Sequence, residues 1–134
     1  MATIDNRVIV VLDDCLTYNN LWTKDKQIVR LLTSGRDYNI TVIITLQYTL
    51  GCSHEMCNNF DHIFLLSEDF NNNRKKLYNH YASMFPSYDI FVKVFKHVTA
   101  DYGAMVICNR VNCVDIRRKV FWFKVDLQQQ LTRS

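Results

Sequence analysis

Val8-Ile9-Val10-Val11-Leu12-Asp13-Asp14 sets five consecutive apolar residues, four of them β-branched, directly against two adjacent carboxylates. An uninterrupted run of this kind reads as a strand buried on both faces, which leaves the acids at its C-terminal tip. Open α/β sheets bind their ligands at such tips. Two carboxylates there suit a metal ion and a water. Taken alone, the motif fits the plainer reading of a buried strand whose acids cap the next turn.

Outward from this strand, Thr23 is placed to cap a helix over about residues 24 to 33, with Asp25 in its first turn and Ile28, Leu31 and Leu32 on one face. Ser34-Gly35 ends it, Gly35 being suited to the left-handed position beyond a helix. Ile40-Thr41-Val42-Ile43-Ile44-Thr45-Leu46 is a second β-branched run, again nearly continuous. A polar stretch from Gln47 to Asn59 follows, with room for one helical turn near Glu55, before a third strand at His62-Ile63-Phe64-Leu65-Leu66. Two amphipathic helices come next. Arg74, Leu77, Tyr78 and Tyr81 share a face of the first; after Pro86 and a capping Ser87, Phe91, Val94, Phe95 and Val98 share a face of the second. Ala104-Met105-Val106-Ile107-Cys108 and Val120-Phe121-Trp122-Phe123-Lys124-Val125 read as the fourth and fifth strands. The expectation is a single α/β domain over residues 1–134, with a mostly parallel sheet of about five strands flanked by helices. The last, hairpin-like pair is open to an antiparallel arrangement.

With 134 residues, 49% hydrophobic and 22% charged, and with three glycines and one proline, the chain is long enough for a core and not of disordered composition. A net charge of +3 permits contact with nucleic acid without requiring it. Arg74-Lys75-Lys76 and Arg117-Arg118-Lys119 are short enough to be solvated faces. No apolar run approaches the roughly 18 residues of a membrane span, and Met1-Ala2-Thr3-Ile4-Asp5-Asn6 lacks the regions of a signal peptide, so an intracellular chain without membrane partners is expected. Five cysteines, Cys15, Cys52, Cys57, Cys108 and Cys113, follow no secreted-scaffold spacing and read as reduced thiols. Cys52-Ser53-His54-Glu55-Met56-Cys57 gathers three possible zinc ligands, but no CxxC pair lies elsewhere to complete a tetrahedral site. His62, His80 and His97 stand alone and give no Cys/His dyad.

The tips of parallel strands share one edge of a sheet, which places Gln47 near Asp13 and Asp14. Its amide suits holding a water or sensing a terminal phosphate, and equally a loop bond to backbone. Arg36 lies in the loop entering the second strand, on the opposite edge. It is therefore remote from its own acids, and either a plain surface arginine or one projecting into a neighbour's site.

Taken together, the motifs resemble those of the genome-packaging ATPases of nucleocytoplasmic large DNA viruses, in the FtsK-HerA group of P-loop motors. Val8 to Cys15 is similar to their Walker B, Ser34-Gly35-Arg36-Asp37-Tyr38 to their arginine motif, and Thr45-Leu46-Gln47-Tyr48 with Leu50-Gly51 to their post-strand glutamine motif. Asn59 to Leu66, Asn73 to Tyr78, Tyr81 to Pro86 and Val120 to Lys124 match further, so the resemblance runs from about Asn6 to Val125. It implies a partial RecA-like P-loop NTPase core, ATP and Mg²⁺ as cofactors, a homo-oligomeric ring, double-stranded DNA and a viral capsid as partners, and a place in the host cytoplasm or the virion. Carried onto matching positions, it makes Asp13 a Mg²⁺ ligand, Asp14 the acid that polarises the attacking water, Gln47 the γ-phosphate sensor and Arg36 a trans-acting arginine.

The chain departs from the family in one respect. A Walker A loop needs G-x-x-x-x-G-K-[ST], whose backbone N–H groups cradle the phosphates. The glycines here are Gly35, Gly51 and Gly103, and none is followed by Lys-Ser or Lys-Thr. The chain looks like the portion from Walker B onward, expected to be inactive alone, with an uncovered sheet flank that makes it poorly soluble or pairs it with a P-loop-bearing chain. A degenerate P-loop module with a non-enzymatic role in a viral assembly is the alternative. An unrelated Mg²⁺-dependent phosphoryl-transfer or nuclease enzyme built on Asp13 and Asp14 is a third.

Overall fold

A computed structural model of the chain describes residues 6–14, 21–47, 54–110 and 115–125. Cys15, Tyr48, Leu50, Gly51, Cys52 and Cys113, like Met1 to Asp5, lie outside the described residues. Two compact units divide the chain, Met1–Phe60 and Asp61–Ser134.

In the first unit, β1 (Val8–Asp13) pairs in parallel with β2 (Ile40–Thr45), in a register that sets Val10 beside Val42, Leu12 beside Ile44 and Asp13 beside Thr45. Parallel neighbours need a crossover, and α1 (Lys26–Ser34) lies within it. The cap of α1 is Asp25, not Thr23: its Oδ1 accepts from the amides of Gln27 at 2.8 Å and Ile28 at 3.2 Å. Thr23 is wound into a 3-10 turn, Leu21–Lys24, just upstream. A carboxylate with extended backbone is also favoured there over a hydroxyl by the positive end of the helix dipole. Gly35 is right-handed, with φ −56°, because the chain runs from α1 straight into a second 3-10 turn, Gly35–Tyr38. The left-handed position falls instead on Asn39, with φ 58°, where the chain reverses into β2.

Two-sided burial of β1 is not observed. Along the pair, Val10, Leu12, Ile40, Val42 and Ile44 are half-buried on one face. On the other, Ile9, Val11 and Ile43 are 66%, 57% and 48% exposed. β-branched composition explains the strand, but burial depends on what covers it. A one-turn helix, α2 (His54–Cys57), stands where a turn near Glu55 was expected.

The second unit is an antiparallel sheet in the order β3 (His62–Leu65), β4 (Gly103–Cys108), β5 (Val120–Lys124). Its core gathers Leu65, Met105 and Ile107 from the sheet with Leu77 of α3 (Asn71–Tyr81), Ala82, Phe85, and Phe91 and Phe95 of α4 (Tyr88–Val98). Phe91 stacks on Phe95 at 5.2 Å between centroids and meets Phe85 edge-on at 5.5 Å. Ser87 caps α4 through Ile90 N–H, as expected, but Val94 turns outward at 37% exposure and leaves the apolar stripe to Phe91, Val92, Phe95 and Val98. Arg74 is buried beside Leu77, so the first basic cluster is not a uniformly solvated face. Its Nη1 donates to the carbonyls of Glu68 at 2.8 Å and Asp69 at 2.5 Å. Gly103 is required where β4 leaves α4, since a Cβ there would lie 2.1 Å from Val98 O.

The described residues thus form a mixed α/β fold with one parallel pair of strands and an antiparallel trio, not one mostly parallel sheet. Each helix or strand packed in such a layer sends the chain back along its length. Among the described residues, one α-helix between β1 and β2 therefore restores a parallel direction, whereas two α-helices between β3 and β4, and only a 3-10 turn between β4 and β5, go with antiparallel neighbours. No described helix is long and apolar enough to cross a membrane.

Candidate functional site

In the first unit, the chemistry gathers at the C-terminal tips of β1 and β2. Asp13 and Thr45 are the last residues of the two strands and stand in register, so their side chains leave the same face. Thr45 Oγ1 donates to Asp13 Oδ1 at 2.5 Å. The same hydroxyl accepts from the backbone N–H of Asp14 at 2.9 Å. Asp14 has φ 47°, a left-handed conformation that Asp tolerates better than most residues with a Cβ. Gln47 Nε2 donates to Asp14 Oδ2 at 2.5 Å. Three of these side chains, Asp13, Asp14 and Gln47, are brought together as their strand-tip positions implied. Thr45 is the member that residue-type reasoning passed over. Its signal was positional: in parallel pairing, the residue level with the first acid is the one that can reach both.

Arg36 sits elsewhere. It lies in the 3-10 turn Gly35–Tyr38 that enters β2, whereas Gln47 follows the far end of that strand. Six strand residues separate the ends by about 20 Å. Arg36 therefore does not join the acids of its own subunit.

All four tip residues are exposed. Neither of two surface concavities includes them. The larger, about 540 Å³, is lined by Leu66, Ser67 and the Thr99 to Gly103 turn. The other, about 260 Å³, lies between α1 and the start of β2. Among the described residues no three His, Cys, Asp or Glu side chains converge as a metal cage. Two carboxylates at one tip nonetheless fit Mg²⁺, which takes one or two from the protein and fills its octahedron with waters and substrate phosphates. Within the chain, nothing in the sequence provides the Gly-rich cradle for those phosphates. Of the thiols, Cys57 and Cys108 are buried. In the second basic cluster Arg117 is tied to Asp115 by side-chain bonds of 3.1 and 3.0 Å.

No protein-family model matches the chain. Uncharacterized protein L437 of Acanthamoeba polyphaga mimivirus is 46% identical over 121 residues, which make up 90% of this chain and 43% of that protein. Uncharacterized protein 088R of Invertebrate iridescent virus 3 is 30% identical over 122 residues, 91% of this chain and 46% of its own length. The chain spans less than half the length of these viral relatives. Among solved structures, the genome packaging NTPase B204 from Sulfolobus turreted icosahedral virus 2, in complex with AMPPCP, is similar with a TM-score of 0.59 at 12% identity, over 89% of this chain and 52% of that one. At that identity the likeness establishes a shared fold.

Proposed function

We propose that this chain is the Walker B-bearing portion of an ATP-driven viral DNA-packaging motor of the FtsK-HerA group, acting within a RecA-like P-loop core that it completes only in part. The observation that carries the reading is the bonded cluster of Asp13, Asp14, Thr45 and Gln47 at adjacent parallel strand tips. The fold shared with a packaging NTPase bound to an ATP analogue, and relatives that are all viral, support it. ATP with Mg²⁺ is the substrate complex in this reading, and the ion supplies charge neutralisation at the phosphates. Asp13 helps hold it, Asp14 orients and polarises the attacking water, and Gln47 senses the terminal phosphate. Arg36, remote from these, is assigned to a neighbouring subunit's site in a ring around double-stranded DNA at the capsid. The phosphate cradle comes from a separate or longer polypeptide.

The test is reconstitution. The unmatched remainder of the mimivirus relative is expected to contain GxxxxGK[ST], and mixing it with this chain to give Mg-ATP hydrolysis that neither shows alone. Asp14→Asn is expected to lower that hydrolysis roughly 10²- to 10⁴-fold with nucleotide affinity retained, because only the water-activating step loses its charge. A remainder without the motif, or hydrolysis indifferent to Asp14, overturns the reading.

A further inference from the structure

We propose that Thr45 is the positioning residue of the acid pair, fixing where each carboxylate can act. This rests on the reading of Asp13 and Asp14 as the metal-holding and water-activating acids. A threonine hydroxyl has one proton and two lone pairs. Here the proton goes to Asp13 Oδ1 and a lone pair takes the N–H of Asp14, so one side chain grips the carboxylate of one acid and the backbone of the next. The second grip matters because Asp14 sits at φ 47°, a conformation costly for a residue with a Cβ. It is held there by its N–H to Thr45 and its Oδ2 to Gln47.

The bonds also divide the oxygens. Asp13 Oδ1 accepts from Thr45 and Asp14 Oδ2 from Gln47, and among the described residues the other oxygen of each acid is left to meet a cation or a water. A threonine is well suited to set this pattern. Its β-branch both favours the strand and stiffens χ1, so the hydroxyl is aimed before any ligand arrives.

The experiment compares Thr45→Val, which keeps the shape without the hydroxyl, with Thr45→Ser, which keeps the hydroxyl. Asp13→Ala serves as the reference. Free Mn²⁺ is followed by electron paramagnetic resonance as MnCl₂ is added to the chain, and exchange of the Asp14 amide by NMR. Thr45→Val is expected to weaken Mn²⁺ binding roughly tenfold, as loss of a partner behind a metal ligand does elsewhere. Faster exchange of the Asp14 amide should accompany it. Thr45→Ser should stay within about twofold of the parent, which a purely structural role for the methyl would not allow. If Thr45→Val matches the parent in both readouts while Asp13→Ala loses Mn²⁺, the role of Thr45 is overturned and the acid pair stands. If Asp13→Ala binds Mn²⁺ as the parent does, the acid-pair reading falls, and this one with it. Should Thr45→Val fail to fold, Thr45→Ser decides: losses as large as those of Asp13→Ala overturn the proposal.

Discussion

In the second unit, β4 is buried along all six of its residues, with Phe91 and Phe95 at 0% and 1% exposure against it. In the first, no described residue of β1, β2 or α1 is buried, and Ile9, Val11 and Ile43 stand open on one face. Among the described residues, the bonded acid cluster lies in the first unit and the largest packed core in the second, while the first unit buries Trp22, Met56 and Cys57 outside its strands. The strands of the first unit are thus apolar on a face that the described residues leave open.

Stability measurements offer the strongest challenge to that contrast. Phe91→Ala removes a ring packed against Phe85, Phe95 and Tyr78 and is expected to cost about 3–5 kcal/mol in urea unfolding. Val11→Ala, at an exposed position, should cost no more than about 0.5 kcal/mol. Similar costs for the two would dissolve the distinction. A subtler comparison concerns the helix caps. Since α1 has no buried residue, its Asp25 cap carries a larger share of its stability than Ser87 carries for α4. Asp25→Ala is expected to cost about 1 kcal/mol and to fray α1 in amide exchange, while Ser87→Ala leaves the α4 amides beyond the first turn protected. Equal fraying would show that α1 has support its exposure does not reveal.

The smallest effect is a pH dependence in the second unit. The side-chain hydrogen bonds of Arg117, and then its backbone N–H, hold the Asp115 carboxyl below the ordinary carboxylate range. A lowered folded value means the contribution is present above the unfolded value of 3.8 and is lost as pH falls through the folded one. A carboxyl ¹³C titration should therefore show Asp115 protonating below the ordinary aspartate value, and Arg117→Gln should bring it back toward that value. No change in that variant would mean the turn holds the carboxylate by other means.

Much of this was legible from residue patterns, and what was not has identifiable causes. Continuous apolar runs, β-branched in β1 and β2, located all the described strands, and Ser87 and the Phe91/Phe95 spacing located α4, because these signals are local. Thr23 and Asp25 are both good caps two residues apart, and only the 3-10 turn upstream decides between them. Gly35 was assigned a left-handed role that fell to Asn39, since a glycine after a helix does not reveal whether the chain turns there or winds on. The directions of β3 to β5 were in principle available from the number of helices between strands. Continuous apolar runs alone do not separate a central antiparallel strand from a parallel one. At the strand tips, the proximity of Asp13, Asp14 and Gln47 followed from their positions at the ends of two parallel strands, whereas Thr45 needed the register, which is a property of two strands and not of either.

That register has a mechanical consequence. Sliding β2 along β1 by a single residue, about 3.3 Å, would carry Thr45 past Asp13 and turn its hydroxyl to the opposite face of the sheet. Both of its bonds would break together while most backbone pairing re-formed one step along. The two bonds of Thr45 therefore hold only in the observed alignment of the strands.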